Sequence, residues 1–377
     1  MDFDKIRRQF DQTTVSGSIA GIAAAITNGD EAIFEATAGV TSIGGATAIT
    51  PDTLFWIASM TKPITSVAAM QLVEAGKLHL DAPIGDLLPE LANPQILEGG
   101  RLRPAVQKIT LRHLLTHTAG FSYIFASAEL AAYAAANNIT IVPGTLASLN
   151  APLLFEPGTR WEYGISTDWV GRAVEAASGE TLDAYFRNHI TGPLGMNNTT
   201  FLPDDAQLAS RTAMHKRQPD GSLTATQPSP VKRPEFFGGG GGLYSTLNDY
   251  QRFLRMFLNN GAGIISPASL AALSVNQIGP LRAGLMPSAD AAFTTSADVY
   301  PGQDAKWSFG FIINPKTGPF GRSPGSLAWA GVANTHFWID PARGIAAILL
   351  MQLLPAGDRT AILTLAGFEK AIYAALR

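Results

Sequence analysis

Two continuous apolar runs stand near opposite ends of the chain, Ile19 to Ile26 and Ile345 to Leu354. Each is too short to span a bilayer and reads as a strand buried on both faces. After the first run come Asn28-Gly29-Asp30, a turn signal, and a second strand pattern from Ala32 to Val40. The C-terminal end mirrors this arrangement: a strand over Thr335–Ile339, a turn at Asp340-Pro341-Ala342-Arg343-Gly344, a strand from Ile345 to Met351, and a closing helix from about Arg359 to Leu376. An opening helix with a basic stripe covers Asp2 to Phe10. This pattern predicts an α+β fold in which both termini build one antiparallel sheet flanked by helices.

The middle of the chain has helical rather than alternating periodicity. Helices are predicted over Ile109–His117, over Ser166–Ser178 with Gly179 as its stop, and over Thr181–Ile190, ended by Gly192-Pro193. Residues 81–234 therefore read as an all-helical lobe inserted into a discontinuous sheet domain made of 1–80 and 235–377. The Pro-rich stretch from Gln218 to Pro234 reads as a surface connection back to the sheet. No internal repeat is visible, and the low-complexity tract is Gly238-Gly239-Gly240-Gly241-Gly242.

Composition narrows the class. Hydrophobic residues make up 46% of the 377 and charged residues 15%, the balance of a folded globular protein. A net charge of −3 gives no electrostatic footprint for nucleic acid or an anionic membrane. There is no cysteine, which excludes disulfides, thiolate catalysis and cysteine metal sites. The charged opening MDFDKIRRQFDQTT lacks the apolar core of a secretory signal, so a cytoplasmic location is expected.

The chemistry centres on Ser59-Met60-Thr61-Lys62. Pro63 is comfortable only in a helix's first turn, so a helix is expected to begin near Ser59. Ile64, Val67, Ala68, Gln71, Leu72 and Ala75 carry it to a stop at Gly76. Residues three apart share a helix face, which lets the Lys62 amine reach the Ser59 hydroxyl. Most Ser-x-x-Lys strings are a capping serine followed by a surface lysine. Here Lys62 lies among Phe55, Trp56, Ile57, Met60 and Ile64. Burial of that kind disfavours a charged amine and favours one able to take a proton from serine.

Two further groups fit around this pair. Tyr163 falls just before the Ser166 helix, where a phenol near an ammonium could serve as a base. Alone, it would read as a half-buried tyrosine with one hydrogen bond. Trp329-Ala330-Gly331-Val332 precedes the strand with Phe337 and Trp338 and reads as an edge that a carbonyl group could approach closely. The N–H groups of Ser59 and Val332 could then form an oxyanion hole.

Ser59-Met60-Thr61-Lys62, Leu114-Leu115-Thr116-His117-Thr118-Ala119-Gly120, Tyr163, the glycine run with Leu243-Tyr244-Ser245-Thr246, and Trp329-Ala330-Gly331 occur in that order. The chain thereby resembles serine hydrolases of the class C β-lactamase fold and, more narrowly, the family VIII carboxylesterases that share it. The likeness runs from about Ile19 to Ile348. It implies Ser59 as nucleophile, Lys62 and Tyr163 as partners in general-base work with their order left open, and Val332 as an oxyanion donor. Two positions depart from the lactamase pattern: Trp329 stands where the Lys of Lys-Thr-Gly would be, and Ile165 where the Asn of Tyr-x-Asn would be. An indole in place of an ammonium favours an uncharged, apolar substrate.

Three other motifs are set aside. The literal Lys316-Thr317-Gly318 sits between prolines and reads as a turn. Gly321-Arg322-Ser323-Pro324-Gly325 matches a nucleophile elbow, but Pro324 leaves no room for the required helix. His113 and His117 are four apart without a third ligand, so structural hydrogen bonding is the better reading. The five glycines lack a phosphate-loop ending and are expected to bring backbone close to the active site, with Thr246 and Asp249 capping the next helix.

The expected function is a serine carboxylesterase acting on short acyl esters through an acyl-enzyme, with no metal or cofactor. The expected partner is a small-molecule ester, in a pocket formed by Tyr123, Phe125, Phe237, Trp307, Trp329 and Gly331. The alternatives on the same site are a β-lactamase or D-alanyl peptidase and an acyltransferase. A catalytically silent binding protein is the alternative of a different kind.

Overall fold

The computed structural model describes residues 3–139, 144–226 and 234–376. Its centre is a seven-stranded antiparallel sheet. The strands are β1 (Gly21–Thr27), β2 (Ala32–Gly39), β3 (Lys306–Trp307), β4 (Ile312–Ile313), β5 (Leu327–Gly331), β6 (Thr335–Asp340) and β7 (Ile345–Leu350), in the order β3-β4-β5-β6-β7-β1-β2. The expected joining of the two termini is therefore present: β1 pairs with β7, Ala23 opposite Leu350. Every residue of β1 and β7 is buried, because each lies inside the sheet with both faces covered. At the edge, β2 alternates buried and half-buried positions.

Helices cover both faces. α1 (Asp4–Val15) and α5 (Arg359–Ala375) lie on one and α4 (Leu247–Leu258) on the other, while α2 (Thr61–Glu74) packs against α3 (Ser166–Ser178). Successive strand residues point to opposite faces, and β6 shows the consequence. Trp338 meets Phe368 of α5 at 5.7 Å between rings, while Phe337 meets Tyr250 of α4 at 5.5 Å. Phe368 also packs on Phe10 of α1 at 5.7 Å and is fully buried. Phe368→Ala is expected to cost about 3–5 kcal/mol through the cavity it leaves. A urea titration with unchanged slope should read this as a lower midpoint.

Several boundaries differ from the sequence expectations. The opening helix runs to Val15, past Phe10, and Asp2 lies outside the described residues. The helix over Ile109–His117 is only Leu111–Leu115, since Thr110 caps its start and His117 takes a left-handed φ of 56°. Residues 81–234 are not all helical. They contain a hairpin of Gln95–Glu98 with Arg101–Pro104 and another of Met214–Arg217 with Leu223–Thr226, and the latter pairs in parallel with Leu353–Leu354. Strand pairs of four residues carry too little alternation to stand out in sequence. Of the proposed Gln218–Pro234 connection, 227–233 lie outside the described residues. Trp329 to Gly331 precede the strand with Phe337 and Trp338 as expected, and themselves lie in β5. The edge character is partly real: β4 pairs with Leu327 and Ala328, and its ladder ends before Trp329. Thr246 caps α4 as expected, but the Asp249 carboxylate turns away to accept from the Asn198 N–H and the Thr199 hydroxyl. Among the described residues, no helix is long and apolar enough to cross a membrane.

Candidate active site

Ser59 lies in a single 3-10 turn, Ala58–Met60, directly ahead of α2. Ala58 holds a φ of 45°, a conformation that costs a non-glycine residue about 1 kcal/mol or more. The turn is braced from the sheet. A Cβ on Gly331 would sit 2.5 Å from the Ile57 carbonyl oxygen and overlap the Thr335 hydroxyl, so only glycine lets β5 approach the nucleophile's turn this closely. That contact places Ser59 and Val332 on the wall of one cavity.

Lys62, second in α2 and three residues after Ser59, has no exposed surface. Its Nζ donates to Ser59 Oγ at 3.1 Å, Tyr123 Oη at 3.0 Å and the Gly240 carbonyl at 2.7 Å. Of these partners only the carbonyl is purely an acceptor. A neutral amine can keep that bond and one hydroxyl while its lone pair receives the proton of the other. The glycine run is what brings the carbonyl in: Gly239 accepts from Thr65 Oγ1 at 2.7 Å, and the Gly240 N–H donates to Asp168 at 2.8 Å. A side chain on Gly240 would collide with that carboxylate. Burial raises the Asp168 carboxyl above the usual range, while Lys62 and the Gly240 N–H oppose the shift.

The two phenols divide their contacts in an unexpected way. Lys62 donates to Tyr123, whereas Tyr163 presents its ring, with Nζ 4.6 Å from the ring centroid. The Tyr163 hydroxyl accepts from the Trp329 indole N–H at 3.1 Å, and the Tyr163 ring lies 5.3 Å from that of Tyr123. Ser59, Lys62 and Tyr123 thus form one hydrogen-bonded chain, and the Tyr163–Trp329 pair packs against it through the Tyr163 ring. Burial first, then the neighbouring Tyr163 and Asp168, push the Tyr123 phenol well above its ordinary value, so it stays protonated.

The site opens into a largely apolar cavity of about 1590 Å³. Of the residues expected there, Tyr123, Phe125, Phe237, Trp329 and Gly331 line it. Trp307 does not. It is fully buried behind Trp329, edge-on at 4.6 Å, and its indole N–H donates to the Leu115 carbonyl at 3.2 Å. Its place in the two-residue edge strand β3 leaves no alternation in sequence to show which face it occupies. Tyr123's bond to Lys62 and Asp168's place beside Gly240 went unread, since neither lies in a recognisable spacing with Ser59.

The motifs set aside occupy other roles. Lys316–Gly318 and Gly321–Gly325 are loop, and the Ser323 N–H donates to Asp340 at 2.9 Å. His113 joins the capping box of Leu111–Leu115 through its Nδ1, and His117 Nδ1 accepts from the Gly164 N–H at 3.4 Å.

A serine bonded to a buried lysine at the start of a helix, beside a sheet edge and a glycine-lined wall, defines the class of enzymes that work through a serine acyl-enzyme. Residues 4–369 match the Beta-lactamase family, and the chain belongs to it. Monacolin J acid methylbutanoyltransferase of Aspergillus terreus is 32% identical over 348 residues, 86% of this chain and 82% of that protein. The lovastatin esterase of Penicillium rubens is 30% identical over 328 residues, covering 81% and 82%. Unliganded simvastatin synthase from Aspergillus terreus superposes with a TM-score of 0.84 at 28% identity, covering 98% of this chain and 97% of that one. The β-lactamase-like fold expected from the sequence is therefore present.

Proposed function

We propose that this enzyme is an acyltransferase. It loads an acyl group from an ester-type donor onto Ser59 and passes it to an alcohol, and ester hydrolysis is the same chemistry completed by water. The sequence put hydrolysis first. The methylbutanoyltransferase likeness favours transfer, and the lovastatin esterase likeness keeps hydrolysis as the second reading. The narrower kinship with family VIII carboxylesterases belongs to that second reading; it rests on the ordered motifs from Ser59 to Gly331, with Trp329 and Ile165 favouring an ester over a β-lactam. The observation that carries the proposal is a lysine without exposed surface on Ser59, opening into an apolar cavity of about 1590 Å³. Such a cavity has room for a bulky acceptor and disfavours water at the acyl-enzyme.

In the proposed cycle, Ser59 Oγ–H gives its proton to the Lys62 amine as the oxygen attacks the donor carbonyl. The N–H groups of Ser59 and Val332 hold the oxyanion. Collapse breaks the donor's C–O bond, and the proton returns to the leaving oxygen through Lys62 and the Tyr123–Tyr163 contact. The acceptor alcohol then loses its proton to Lys62, attacks the acyl carbon and leaves as the new ester, while Ser59 regains its proton.

The test supplies p-nitrophenyl butyrate with and without 1-butanol and quantifies butyl butyrate against butyric acid. Butyl ester as the major product, rising with alcohol concentration, is the expected result. Butyric acid alone at every alcohol concentration would leave hydrolysis standing and remove the transferase. Nitrocefin turnover should be far slower than that of the ester, because the lactamase cation is replaced by Trp329.

A further inference from the structure

We infer that His117 is a positioning residue for Tyr163, a neutral clamp that fixes where the phenol points. This rests on the participation of Tyr163 in the proton chain proposed above. His117 holds the backbone on both sides of that tyrosine: its carbonyl accepts from the Glu162 N–H at 2.9 Å, and its ring Nδ1 accepts from the Gly164 N–H at 3.4 Å. The imidazole also packs on the phenol, with ring centroids 4.9 Å apart.

The clamp belongs to a closed circuit of four rings. His117 meets Tyr163 at 4.9 Å, Tyr163 meets Trp329 at 4.9 Å, Trp329 meets Trp307 at 4.6 Å, and Trp307 returns to His117 at 5.3 Å. Within it Trp329 donates to the Tyr163 oxygen, so the phenol is gripped at its tip by an indole and at its base by the histidine. Gly164 cannot drift, because a Cβ there would lie 2.6 Å from the Ser122 Cα, next to Tyr123. The same segment therefore sets the separation of the two phenols.

The tautomer follows from the bonds. Nδ1 accepts, so the proton sits on Nε2. Nε2 is buried without a hydrogen-bond partner, and its ring stands edge-on to Trp307 at 80°. Burial holds the imidazole far below its ordinary proton affinity, and Lys62 adds to this whenever its amine is protonated. A protonated ring would lose the Gly164 bond and face Lys62. His117 holds a left-handed φ of 56°, an uncommon conformation for a residue with a side chain.

The test is a double-mutant cycle with ester turnover as readout. His117→Phe keeps a ring and loses the acceptor. It is expected to lower kcat by about 10²-fold with little change in KM, the size of effect that a misplacement of about 1 Å produces. His117→Asn keeps an acceptor and loses the ring, and should stay within about tenfold of the wild type. In a Tyr163→Phe background, either histidine change should have no more than about a twofold further effect. Losses that multiply with that of Tyr163→Phe would overturn the clamp while leaving the role of Tyr163 intact. Wild-type activity in Tyr163→Phe would overturn both. Should His117→Phe fail to fold, His117→Asn runs the same cycle, and an inactive but folded Asn variant counts against the inference. Independently, ¹⁵N-histidine spectra, assigned by the signal lost in His117→Asn, should show one neutral, Nε2-protonated ring throughout the active pH range. An Nδ1-protonated or charged ring there contradicts the geometry.

Discussion

Ser59→Ala is expected to abolish turnover of both esters and acyl acceptors while the protein stays folded. Loss of a serine nucleophile removes the acyl-enzyme outright, and comparable knockouts cost about 10⁶-fold in kcat. At 1.36 kcal/mol per tenfold, that is about 8 kcal/mol of barrier. The structural effect is small by comparison. Ser59 gives Lys62 one of three hydrogen-bond partners, and Tyr123 and Gly240 remain. A stability change of about 1 kcal/mol is the scale of one such bond. The measurement pairs ester turnover with labelling by a fluorophosphonate and with a thermal melt. Undiminished turnover in a variant of normal melting temperature would end the Ser59 assignment.

Lys62→Met should produce the second largest effect, about 10³-fold in kcat/KM, in the range that positioned acid–base groups contribute. Two opposing terms act on stability. Methionine leaves the Gly240 carbonyl without its donor, a loss of about 1–3 kcal/mol for a buried group. It also removes the need to desolvate an amine that has no exposed surface, which offsets part of that loss. A net stability change of about 1–2 kcal/mol therefore cannot account for a loss of activity that large. Activity should also fall without a matching rise in KM, since Lys62 reaches Ser59 rather than the far end of the cavity. A folded Lys62→Met enzyme with near-normal kcat would show that Ser59 is activated by some other group.

How far the sequence revealed this site depended on the distance over which each contact acts. Ser59 and Lys62 were legible because one helical turn joins them, and Pro63 marks where that turn begins. The sheet was legible from β1 and β7, whose unbroken apolar runs suit strands covered on both faces and little else, and from the turn residues beside them. Tyr123 was assigned to the pocket but not to Lys62, because its hydroxyl arrives from 61 residues away on an irregular segment. Asp168 was invisible for another reason: inside α3 an acidic residue in the first turn looks like an ordinary partner for the helix dipole. Trp307 was misplaced because an aromatic near a strand can face either side, and only the packing of Trp329 over it determines which.

The pairing of Ala23 with Leu350 carries a consequence for biogenesis. During synthesis the β1–β2 hairpin emerges from the ribosome with one whole edge unsatisfied, and its neighbour β7 is the last strand of this sheet in chain order. Loop closure over so many residues is slow. The nucleophile's turn faces the same delay, since Gly331 and Val332 reach it only once the strands after residue 327 have been made. The nascent chain therefore cannot complete the packing around Ser59 before residue 332 has been made, and its exposed early strands are where chaperone protection matters most.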